Sequence, residues 1–98
     1  MLKIKKIAVG PNYEGLYLFE FTETQKRGVF VPETDGFALG DRVEVLFLEG
    51  GNNIVFSLFG VIDWLNSDAD VGIGVVFDLM TNEQFKLAIN ILNNVAYL

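Results

Sequence analysis

At 98 residues and a net charge of −6, with 51% hydrophobic residues and nine Phe, the chain is sized for one hydrophobic core across residues 1–98 and is too apolar for a disordered acidic segment. The acidic balance disfavours contact with nucleic acid, which needs several Lys or Arg on one face. With no Cys and no His, the chain offers no disulfide framework, no thiolate zinc site and no Cys–His or Ser–His pair, and the cytosol is the expected, cytoplasmic compartment.

Residues 1–9 carry Lys3, Lys5 and Lys6 but no apolar run long enough for a signal peptide. No later stretch approaches the roughly 20 apolar residues of a membrane helix, so no membrane partner is expected. Leu2 and Ile4 alternate with Lys3 and Lys5, then Ile7 and Val9 continue in the opposite phase, which predicts an edge strand with a bulge near Lys5-Lys6. After Gly10-Pro11-Asn12, residues 16–22 place Tyr17, Phe19 and Phe21 on one strand face. A polar connection through Lys26-Arg27-Gly28 leads into Val29-Phe30-Val31, and Pro32 to Gly36 breaks the chain.

Val43, Val45 and Phe47 alternate with Arg42 and Glu44, and Glu49-Gly50-Gly51-Asn52 is a hairpin signal. The return strand, residues 54–65, is apolar on both faces, with Gly60 as a kink. Asn66 to Asp70 reads as a loop. Val71, Ile73, Val75 and Phe77 then alternate with Gly72 and Gly74, small residues that admit another backbone. Thr81 and Gln84 form a capping-box pattern ahead of a helix predicted to run to the end of the chain.

The ordered set Gly28-Val29-Phe30-Val31, Leu39-Gly40-Asp41-Arg42-Val43-Glu44-Val45, Gly60-Val61-Ile62-Asp63-Trp64 and Val71-Gly72-Ile73-Gly74-Val75-Val76-Phe77 resembles the PilZ domain family over about residues 20–95. The resemblance implies a mainly β fold, a six-stranded antiparallel β-barrel with a C-terminal α-helix. Many PilZ domains are receptors for cyclic di-GMP, which they hold through an Arg-x-x-x-Arg motif and an Asp/Asn-x-Ser-x-x-Gly motif. The first has no counterpart here, where the arginines are Arg27 and Arg42. Placing the second motif's glycine at Gly28 puts Gln25 at its serine and Glu23 at its acid. The resemblance is thus to the branch without the nucleotide site, which includes small type IV pilus and motility proteins. It implies a non-catalytic protein-interaction module in motility, pili or surface behaviour, with no cofactor. Two alternatives accompany it: a cyclic di-GMP receptor with a degenerate basic site built from Lys5, Lys6, Glu23, Gln25, Lys26, Arg27 and Gly28, and a small β-barrel nucleic-acid binder.

The remaining constellations carry less chemistry. Asn66, Asp68 and Asp70 have the spacing of a calcium loop, but Val71 replaces its glycine and Phe77 its bidentate glutamate, so no metal is expected. Asp63 should face outward from its strand. Ser57 and Ser67 are the only serines and lack a histidine base, so no catalytic residue is assigned. On the helix, Phe85, Ala88, Ile89, Leu92 and Ala96 form the packing face, while Leu87, Ile91 and Leu98 extend the apolar arc on one flank. That flank is the expected contact surface for a protein partner or for a second copy joined through the C-terminal helix.

Overall fold

Apolar and polar residues alternate along the middle of the chain, and burial follows the same period: Val43, Val45 and Phe47 are fully enclosed while Arg42, Glu44 and Leu46 between them are not. The structure, a computed structural model, describes residues 3–98. In chain order the elements are β1 (Lys5–Val9), β2 (Tyr17–Glu20), β3 (Arg27–Val31), β4 (Arg42–Glu49), β5 (Asn53–Asn66), β6 (Gly72–Phe77), α1 (Asn82–Leu92) and β7 (Val95–Tyr97). The expected strand position at Leu2 lies outside the described residues.

The seven strands form one sheet in the order β1-β4-β5-β6-β3-β2-β7. The four central pairings are antiparallel, but β1 runs parallel to β4 and β7 parallel to β2. This corrects the expected six-stranded antiparallel barrel. A parallel neighbour needs a long crossover, and β2 and β3 lie within the one that joins β1 to β4. The edges β1 and β7 do not pair with each other, so the sheet is open and mixed. The PilZ resemblance falls with the barrel. So do the motility and cyclic di-GMP readings that rested on it, and the β-barrel nucleic-acid reading.

The expected long helix is the second correction. Its start is as read: the Thr81 hydroxyl accepts from the Gln84 N–H at 3.1 Å, and the Gln84 side chain accepts from the Thr81 N–H at 2.9 Å. It stops at Leu92 because Asn93 adopts a left-handed φ of 52° and donates its N–H to Ile89 O at 2.6 Å, a terminus that Asn supports almost as Gly does. The chain then becomes β7. Ala96 and Leu98 therefore belong to no helix face.

Ile7, Val9, Leu18, Val29, Val31, Ile62, Ile73 and Val75 line the inner face and join Phe85, Ala88 and Leu92 of α1 in one core. The helix packs on both β2 and β4, strands well apart in the sheet order, so the sheet curls around it. Arg27 fixes its N-terminal end. The guanidinium donates to Glu20 at 2.6 Å, to Met80 O at 3.0 Å and to Asn82 at 2.7 Å, and lies 4.5 Å from the Phe85 ring centre.

On the outer face, aromatic rings lie over glycines. A Cβ on Gly28 would stand 2.4 Å from the Phe19 ring, one on Gly72 2.3 Å from Phe30 and one on Gly74 2.1 Å from Trp64. The small residues of β6 thus admit side chains from neighbouring strands as well as close backbone. The bulges also differ from expectation. The β1–β4 register is continuous through Lys5 and Lys6, and the shifts fall at Val55 and Asp63, both exposed.

Candidate functional site

Leu87, Asn90 and Ile91 stand at helical spacings that put them on one side of α1. Opposite them are Pro11, from the turn after β1, and Glu49, Gly50 and Val55, from the β4–β5 hairpin; together they enclose a groove of about 310 Å³. The hairpin reaches it through a bulge. Phe47 pairs with Phe56 and Leu48 with Ile54, so Val55 is the extra residue, and such a residue is freed from the ladder to take a new direction. Leu87 is 45% exposed and Val55 39%, whereas Ile91 is half-buried and packs on the core. One lining residue carries a charge, Glu49, and it forms no ion pair among the described residues. The volume lies at the low end of ligand sites, roughly 300–1,000 Å³, which is room for a side chain or two of a bound segment.

The residues expected to contact a partner are therefore only partly brought together. Leu87 and Ile91 share the groove. Leu98 lies after β7, 53% exposed, beside a separate hollow of about 450 Å³ lined by Phe21, Thr22, Glu23 and Thr24.

The basic residues do not assemble. Lys5 and Lys6 are on edge strand β1, whereas Lys26 lies on the turn before β3 and Arg27 opens that strand, with β4, β5 and β6 between β1 and β3. Lys5 bonds to Gly36 O and to Asp41 at 2.7 Å. That hydrogen bond, with a second from the Ala38 N–H, holds the Asp41 carboxyl below its ordinary pKa. Lys6 is open to solvent, 4.0 Å from Glu44. Arg27 is spent on the helix, Gly28 is buried under Phe19, and Gln25 sits in the turn at a φ of 57°. Glu23 and Lys26 are exposed on that turn.

No protein-family model and no curated protein matches the chain. Sequence reading missed Val55, Pro11 and Glu49 as site residues. The hairpin signal was visible, but the bulge that re-aims Val55 leaves no mark in a run of six residues, Asn53 to Leu58, that is mostly apolar.

Proposed function

We propose that the chain is a non-catalytic binding module whose groove between α1 and the β4–β5 hairpin takes a short segment of a partner protein. The observation that carries this is the meeting of exposed Leu87 and Val55 with Ile91 and Pro11 around one recess. Exposed apolar side chains gathered at a concavity are the usual form of a protein contact.

The segment's chemistry follows from the lining. An apolar side chain fills the recess, and burying one contributes about 1.5–3 kcal/mol. A neighbouring Lys or Arg meets the Glu49 carboxylate, which forms no ion pair among the described residues, and the chain's net charge of −6 draws such a cationic segment in. The lack of catalysis rests on the residue inventory. Ser57 donates to Glu44 at 2.9 Å on the open sheet face, with neither a histidine nor a cysteine in the chain. The absence of Cys supports a cytosolic setting.

The test is selection from a random peptide library displayed on phage, followed by anisotropy with the selected peptide. Peptides pairing an apolar residue with Lys or Arg should emerge, lose at least tenfold in affinity to Leu87→Glu, and weaken with Glu49→Lys. Selected peptides indifferent to both substitutions would sink the proposal. So would a selection that yields none.

A further inference from the structure

The open sheet has two edges, and they are built differently. Edge β1 carries Lys5 and Lys6, the latter with a side chain 68% exposed, a common device against unwanted pairing. Edge β7 is Val95-Ala96-Tyr97, without charge, proline or bulge.

The backbone of β7 has a defined outward side. Leu18 N–H donates to Asn94 O at 3.1 Å, Leu98 N–H to Glu20 O at 2.9 Å and Thr22 N–H to Leu98 O at 3.0 Å. Asn94 and Leu98 therefore turn their polar groups toward β2, and with the two-residue period of a strand so does Ala96. The N–H and C=O of Val95 and of Tyr97 point away from the sheet, with no backbone partner among the described residues.

We propose that β7 pairs with β7 of a second copy, antiparallel about a two-fold axis through Ala96, joining the two seven-stranded sheets into one. The match is internal to the sequence. Under that axis Val95 of each copy opposes Tyr97 of the other, and each such pair exchanges two N–H···O bonds, so the outward groups are satisfied by their own symmetry mates. The side chains agree. Val95 opposite Tyr97 is a β-branched–aromatic cross-strand pair, a favourable kind, and Ala96 meets Ala96 at the closer, non-hydrogen-bonded position.

Apolar surface flanks the seam. Tyr97 is 60% and Leu98 53% exposed, and Leu98 with Phe21 borders the hollow of about 450 Å³ next to the edge. One force opposes the pairing, because each copy carries −6 and like charges repel over about 10 Å at 0.1 M salt. Self-association should accordingly strengthen as salt rises.

Sedimentation equilibrium of the full chain over a range of protein and salt concentrations tests the proposal. The expected result is a monomer–dimer equilibrium that shifts to dimer at high salt. Tyr97→Pro removes an outward N–H and leaves the β2 ladder untouched, and Tyr97→Lys places a charge on the edge; each should give a monomer with the thermal midpoint of the wild-type chain at dilutions where it too is monomeric. Tyr97→Lys decides the matter should the proline variant not fold. A wild-type chain that stays monomeric throughout overturns the proposal, as does a dimer that survives Tyr97→Lys. A dimer lost only with Leu87→Glu would assign self-association to the groove and overturn it equally.

Discussion

Replacing Gly28 by Ala tests how the outer face is packed. The new Cβ would lie 2.1 Å from Val75 O and 2.4 Å and 2.8 Å from two atoms of the Phe19 ring, where ordinary carbon contacts are about 3.5–4.0 Å. Turning Phe19 away relieves only the second clash, and Phe19 is fully buried. Its expulsion forfeits about 1.5–3 kcal/mol of burial and weakens ring contacts to Trp64 and Phe21 at 5.0 and 5.4 Å. The clash with Val75 O remains until β3 and β6 separate, which strains ladder bonds worth about 0.5–1.5 kcal/mol each. The gain from removing a strand glycine returns about 0.5–1 kcal/mol. The net loss is about 2–4 kcal/mol, a large part of the roughly 5–15 kcal/mol typical of a domain, and lowers the melting temperature by roughly 8–32 °C. Urea melts followed by circular dichroism measure it, with Gly50→Ala, whose Cβ would meet nothing within 4 Å, as the control. If Gly28→Ala melts within about 0.5 kcal/mol of the parent, the ring-over-glycine packing is wrong.

Two further perturbations probe other contacts. Burial, with the hydrogen bond to Glu33 and its charge, pushes the Tyr13 hydroxyl up to about 12; its protonated form is favoured by folding, so stability present below about pH 10 should be lost as pH rises through 12, and the absorbance titration of Tyr13→Phe should lack the late tyrosine. Arg27→Ala should cost about 1.5–3 kcal/mol by removing charged hydrogen bonds from Glu20, Met80 O and Asn82, and loss of amide protection in the first turn of α1, read by hydrogen exchange, separates a helix clamp from an ordinary surface charge.

The six strands before the helix were legible because period-two alternation dictates burial where one face is enclosed, as in β4. The hairpin at Gly50-Gly51 and the Thr81–Gln84 cap were legible because their chemistry is local. Sheet order was not. Nothing in Lys5 to Val9 tells whether its partner runs parallel or antiparallel, and that choice separates an open mixed sheet from a closed barrel. The helix end was misread for a different reason. Val95 and Ala96 continue a helical period after Leu92, and only Asn93-Asn94 between them signals a left-handed stop. The same period that made Leu87 and Ile91 visible thereby drew Leu98 into a face it never joins. Arg27 was a candidate phosphate ligand by residue type alone, whereas its partners come from β2, the turn after β6 and α1, a convergence that only the fold produces.

Net charge gives the two proposed surfaces opposite responses to ionic strength. A cationic segment reaching Glu49 is drawn to a chain of charge −6, and screening weakens that attraction. Two copies meeting at β7 repel, and screening removes the repulsion while leaving backbone hydrogen bonds and apolar contact almost unchanged. Rising salt should thus release the bound segment and promote pairing of copies without any structural coupling between the groove and the edge. Coupling, if present, has a physical route, since Ile91 and Val95 both pack on the core on either side of the Asn93 stop. Measuring peptide affinity in Tyr97→Pro, which keeps the net charge at −6, and in the parent at one salt concentration where the parent is dimeric isolates it: equal affinities mean that the two surfaces answer to charge alone.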